Sequence, residues 1–169
     1  VDPAFTSVAI VGLGLIGGSI ALGIRERCGP CRVYGVDSDA VLAHALGSGA
    51  IDHGVRSVAD LPDVDLIVLA APVRQNTNLL AALATRSQPA VVTDVGGTKR
   101  TIVEAAAALP STLSFVGGHP LGGGERGGFA FARPDLFVHR PWILTPQAST
   151  SRPAVARVAR LASDLGARV

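Results

Sequence analysis

The stretch Ser7-Val8-Ala9-Ile10-Val11-Gly12-Leu13-Gly14-Leu15-Ile16-Gly17-Gly18 runs from five residues suited to a buried strand into a glycine cluster spaced G-x-G-x-x-G. A glycine-rich turn without a ligand would also read this way. The strand before it and the helical pattern after it, about Ile16 to Arg27, give the cluster its weight. In that setting Gly12 permits a tight turn, Gly14 lets a pyrophosphate approach the backbone, and Gly17 allows close helix–strand packing. Leu15 and Ile16 then stand at a helix N-terminus, whose free N–H groups and positive dipole end suit phosphates.

Asp37 is an independent check, twenty residues beyond Gly17 at the end of the next strand pattern, Arg32 to Val36. A carboxylate there accepts hydrogen bonds from ribose hydroxyls and repels a 2′-phosphate. No arginine immediately follows Asp37, so the expected cofactor is NAD rather than NADP. The same carboxylate would also serve to cap a helix starting near Ser38.

Outward from this stretch, apolar runs alternate with Ala/Leu-rich segments. Strands are expected at Ser7–Val11, Arg32–Val36, Val64–Ala70, Ala90–Thr93, Ser114–Val116 and Trp142–Leu144. Helices are expected at Ile16–Arg27, Ser38–Leu46, Asn76–Thr85, Thr98–Leu109 and Arg152–Leu165. Continuously apolar strands imply helices on both faces of the sheet. The pattern is that of an open, doubly wound, mostly parallel α/β sheet, a Rossmann-like dinucleotide-binding domain.

The bulk composition narrows the partners. Net charge is only +2 and the 15 basic residues are scattered, which argues against nucleic acid or an anionic membrane. The longest apolar run, Leu66 to Val73, is far short of the roughly 20 residues needed to cross a bilayer. A small-molecule partner and a cytoplasmic location are expected. Cys28 and Cys31 form C-G-P-C, but between a helix and a strand rather than at a helix N-terminus, so a turn is favoured over redox chemistry. No set of ligands with metal-binding spacing accompanies them, and no metal is expected. The chain opens on Val1 and contains no methionine, so Val1 is not expected to be the native start.

Ligands of such sheets bind outside the carboxyl ends of the strands. The segments Ala71-Pro72-Val73, Thr93 to Lys99 and Gly117 to Pro120 should face that crevice, with Ala71 and Pro72 among the cofactor contacts. Thr98 begins a helix, where its hydroxyl could cap or reach a ligand. Of four histidines, His44 and His53 lie in helix-and-turn context and His139 in a polar loop. His119 alone follows an apolar strand at the ligand edge, within FVGGHPLGGGERGG (residues 115–128). With an ordinary pKa near 6.5, a histidine there can accept a proton at neutral pH.

GLGLIGGS, LAAPV, TDVGGTK, GGHPLGGGERGGF and ARPDLF followed by PWILTP resemble the prephenate/arogenate dehydrogenase family of tyrosine biosynthesis, across essentially the whole chain. The resemblance implies NAD-dependent oxidative decarboxylation of prephenate, or arogenate, with His119 as general base. It also implies a gating or substrate-binding part for Glu125, in an ionic network at the pocket mouth. Two departures stand out. The family's D-x-G-S-x-K has Gly97 in place of serine, with Thr98 the next hydroxyl along. The family's H-P-x-A-G-S/T-E has lost a hydroxyl at Gly124.

LGARV (residues 165–169) reads as a closing helix and last strand. In the family a helical domain follows, forming the homodimer and supplying a carboxylate-binding arginine. Residues 1–169 are therefore expected to be the cofactor domain alone, excised or naturally short, and inactive or feeble by itself. Two other readings stay open: a non-catalytic NAD-binding regulatory module, and a related β-hydroxyacid dehydrogenase, against which the GGHP segment argues.

Overall fold

The computed structural model describes residues 2–169. Seven strands form one sheet: β1 (Ser7–Val11), β2 (Arg32–Val36), β3 (His53–Val55), β4 (Leu66–Leu69), β5 (Ala90–Asp94), β6 (Leu113–Pro120) and β7 (Trp142–Thr145). Their order is β3-β2-β1-β4-β5-β6-β7, and β7 alone runs antiparallel, against the second half of β6. Five helices accompany them, four between strands, α1 (Leu15–Arg27), α2 (Asp39–Gly47), α3 (Val73–Leu83) and α4 (Arg100–Ala106), and α5 (Arg152–Asp164) after β7. None is long and apolar enough to cross a membrane.

Alternation along the central strands builds two cores. Val8 and Ile10 of β1, with Leu66 and Val68 of β4, pack toward α1, α2 and α5. Ala9 and Val11, with Ile67 and Leu69, pack toward α3 and α4. Both faces are buried, which is why these strands read as unbroken apolar runs. The reversal of chain progression lies between β1 and β4, the switch point where such sheets bind ligands.

Several boundaries differ from the sequence reading. β3 was not anticipated: it is three residues long and partly exposed, so it has no apolar run to betray it, and His53 lies in it rather than in a turn. β6 continues through Gly117 and Gly118 to Pro120, because β7 pairs with that glycine segment and His119 faces Ile143 across the ladder. α3 begins three residues earlier, at Val73, with Pro72 as its cap. α4 starts only at Arg100, which leaves Thr98 outside it. Arg168 makes a single bridge to Pro141 rather than a closing strand.

Candidate functional site

The glycine turn is fixed by sterics at two of its three fingerprint positions. Gly12 has φ +92°, and a β-carbon there would lie 2.7 Å from the Ala71 nitrogen. One at Gly17 would lie 1.9 Å from the Gly12 carbonyl oxygen. Gly14 differs: its β-carbon would meet nothing within 4 Å, so this face of the turn is open. Gly14 caps α1, no acidic residue occupies the first turn, and the amides of Leu15 and Ile16 head the helix without partners four residues back. An open, uncharged helix end with a bare backbone approach fits a pyrophosphate.

Asp37 continues β2 and is half-buried. Its Oδ2 accepts from the Leu13 amide at 2.7 Å and its Oδ1 from the Ser38 amide at 2.7 Å. It does not cap α2, whose cap residue is Ser38. Asp37 therefore braces the glycine turn and also lines a hollow of about 400 Å³. Val11, Gly12, Ala71 and Leu79 also line this hollow, in the position expected for the adenosine half of a dinucleotide. Arg56, from the end of β3, lines it too. The absence of an arginine next to Asp37 in the chain does not hold in space.

Further along the same edge, Asp94 ends β5 with no exposed surface. Its Oδ2 accepts from Lys99 Nζ and, at 3.0 Å, from the Gly96 amide; its Oδ1 accepts from the Gly118 amide at 3.2 Å. One buried carboxylate thus ties the β5–α4 loop to β6 immediately before His119. This packing requires glycine at Gly118, where backbone is met, and crowds a side-chain hydroxyl at Gly117. A β-carbon at Gly118 would lie 2.7 Å from the Asp94 carbonyl oxygen, and one at Gly117 would lie 2.5 Å from Thr145 Oγ1. Their bareness serves the sheet, not only the approach to the histidine.

The tie brings Gly97 against His119: a β-carbon at Gly97 would stand 3.3 Å from the imidazole Nε2. Gly96 in turn packs on Val73, which follows Ala71 and Pro72. The loops after β1, β4 and β5 and the end of β6 thereby meet in sequence along one sheet edge. His119 is half-buried, and its imidazole forms no hydrogen bond to the chain among the described residues, so the ring is free to engage a ligand.

The two gating candidates are placed differently. Thr98 is exposed, and its hydroxyl neither caps α4 nor bonds elsewhere among the described residues. Glu125 is exposed and has no ion-pair partner among the described residues. It borders a shallow groove of about 390 Å³ with Leu15, Arg126, Phe131 and Arg133. Gly124, beside it, approaches the Leu15 side chain at the head of α1.

Asp94 and Lys99 bound the motif match within the crevice-facing segment but carry no role in the sequence reading, and Arg56 is absent from it. Asp94 carried a signal, a carboxylate closing the buried run AVVT. Arg56 carried none, because only the unforeseen strand β3 brings it to Asp37. The cysteines are free and buried. Burial, with help from Asp164 and Cys31, pushes the Cys28 thiol up to about 12. Burial likewise raises Cys31 to about 11. Both are protonated at neutral pH and unsuited to thiolate chemistry.

Comparison with known proteins is consistent with this geometry. The family described as "Prephenate dehydrogenase, nucleotide-binding domain" matches residues 20–169. A prephenate dehydrogenase of Bacillus subtilis (strain 168) is 38% identical over 160 residues, covering 92% of this chain and 43% of that protein. The crystal structure of prephenate dehydrogenase from Aquifex aeolicus in complex with hydroxyphenyl propionate and NAD+ superimposes with a TM-score of 0.90 at 32% identity, over 97% of this chain and 58% of that one. The structure of Synechocystis arogenate dehydrogenase follows with a TM-score of 0.83 at 30% identity, over 96% and 58%. The chain spans about half the length of these relatives.

Proposed function

Because this chain belongs to the prephenate dehydrogenase family, and matches its nucleotide-binding domain, we propose that residues 1–169 form the NAD-binding half of a prephenate or arogenate dehydrogenase of tyrosine biosynthesis. The observation that carries this reading is the meeting, at one sheet edge, of an open glycine turn braced by Asp37 and an unencumbered His119 beside Gly97. A bound NAD supplies the hydride acceptor. This chain's part is placement and proton transfer.

The amides of Leu15 and Ile16 hold the pyrophosphate, with Gly14 leaving the approach bare. Asp37 accepts from the ribose hydroxyls, and Ala71 and Pro72 border the cofactor on the β4 side. His119 accepts the proton of the substrate hydroxyl as that carbon loses hydride, and departure of carbon dioxide makes the ring aromatic. The Asp94–Lys99 tie holds the imidazole and the Gly97 loop in register, so that the base need not search for its position. Thr98, exposed on that loop, and Glu125, at the groove beside Leu15, are the candidates for substrate contact and gating. The greater length of the relatives supports a second half that adds the substrate carboxylate site and forms a homodimer, in a cytoplasmic enzyme.

The test joins this chain to the remaining half of a relative and measures NAD-dependent turnover of prephenate and of arogenate. His119→Asn should lower kcat by about 10²–10⁴-fold, the usual worth of a general base. Turnover unchanged by that substitution would remove His119 from the mechanism.

A further inference from the structure

β2 and β3 run parallel with Val36 opposite Val55, and the Asp37 amide donates to the Val55 carbonyl at 3.4 Å. The residues that continue the two strands, Asp37 and Arg56, therefore emerge side by side on the same hollow. Arg56 is the one cation among the described residues lining it. Its guanidinium is already engaged: Nε donates to Asp39 Oδ1 at 2.6 Å, and Nη2 donates to Asp39 Oδ2. Such a fork-to-fork pair uses the planar geometry by which arginine otherwise grips a phosphate. Asp39 is also the first residue of α2, where the helix dipole favours a carboxylate.

Formal charges here are one cation, Arg56, against two carboxylates, Asp37 lining the hollow and Asp39 paired with Arg56. A ribose 2′-hydroxyl needs only an acceptor, which Asp37 provides. A 2′-phosphate adds a charge of about −1.5 to −2 to a region already negative, and the arginine that could receive it is held in another pair. The pair itself is exposed and contributes little to folding. Its effect lies in where it holds the guanidinium.

We propose that Asp39 and Arg56 form a second determinant of cofactor choice: by closing on Arg56, Asp39 withholds from the ribose pocket the cation that would accept a 2′-phosphate. This rests on the assignment of the hollow to the adenosine half of NAD. Asp37 excludes the phosphate by repulsion, and Asp39 excludes it by occupying the receptor.

Titration calorimetry on this chain with NAD and with NADP tests the proposal, in the unmodified protein and in the Asp39→Ala, Arg56→Ala and doubly substituted forms. The readout is the ratio of the NADP to the NAD dissociation constant. The unmodified chain should favour NAD. Asp39→Ala should lower the ratio by about fivefold or more, since a freed arginine gains a charge-assisted pair with the phosphate. The double substitution should abolish that gain, and Arg56→Ala alone should not produce it. A ratio in Asp39→Ala within twofold of the unmodified value, with NAD still bound, overturns this proposal and leaves the cofactor assignment standing. The proposal also fails if the double variant keeps the gain, because Arg56 is then not its source. If the unmodified chain binds no NAD, the assignment of the hollow falls and the proposal falls with it.

Discussion

Gly14 and Gly17 stand three residues apart on one turn, and a methyl group should harm them in different ways. At Gly17 the new carbon would collide with the Gly12 backbone, so the turn must deform. Overpacking of this kind costs about 1–3 kcal/mol, and Gly17→Ala should lower the denaturation midpoint and NAD affinity together. At Gly14 the carbon would meet only open space within the chain. Gly14→Ala should therefore leave the unfolding free energy within about 1 kcal/mol of the parent while weakening NAD at least tenfold, because the methyl group stands in the proposed pyrophosphate approach. Denaturant titration beside calorimetry separates the two. If Gly14→Ala binds NAD normally, the turn is not the phosphate site.

The loop from β5 to α4 shows which elements the sequence made legible and which it did not. β1, β2 and α1 were readable because a buried strand followed by a fixed glycine spacing leaves few alternatives. The GGHP segment lies beyond the strand expected at Ser114–Val116, since glycines with no side chain carry no periodicity, and only pairing with β7 makes it strand. For the same reason the site was half visible: His119 stood out by type and position, whereas the carboxylate that ties down the preceding glycine lies about twenty-five residues earlier and acts through backbone amides. Asp94 is fully buried and Lys99 largely so. Removing one partner of such a pair leaves an uncompensated charge, a loss of about 3–5 kcal/mol. Asp94→Ala should fall in that range by denaturant unfolding. Asp94→Asn, which keeps one carbonyl oxygen for either the Gly118 or the Gly96 amide, should lose less. Equal stability of both variants with the parent would deny the tie any structural weight.

Across the whole molecule, stability should decline at both extremes of pH. Burial alone would raise the Asp65 carboxyl, but hydrogen bonds from Thr6 and Ser7 outweigh it and hold the group below the ordinary carboxylate range. That stabilisation is complete above the unfolded value near 3.9 and is lost as pH falls through the folded one. At the alkaline end the unfolded chain releases the thiol protons that Cys28 and Cys31 retain up to about 12 and 11. Between pH 9 and those values each thiol should remove about 1.4 kcal/mol per pH unit, and Cys28→Ala with Cys31→Ala should flatten that limb of a pH–stability profile. Native thiols should also resist alkylation at pH 8 and react on unfolding. The bond from the Leu13 amide to Asp37 reaches as far, because it fastens the end of β2 to the glycine turn, the two elements that the proposed cofactor placement assigns to the sugar and the phosphates. Position 37 is thus a poor place to re-engineer coenzyme preference: exchanging the carboxylate to admit NADP would slacken the grip on the shared pyrophosphate as well. Conversion is better begun at the periphery, where the ribose can be served without unlatching the turn.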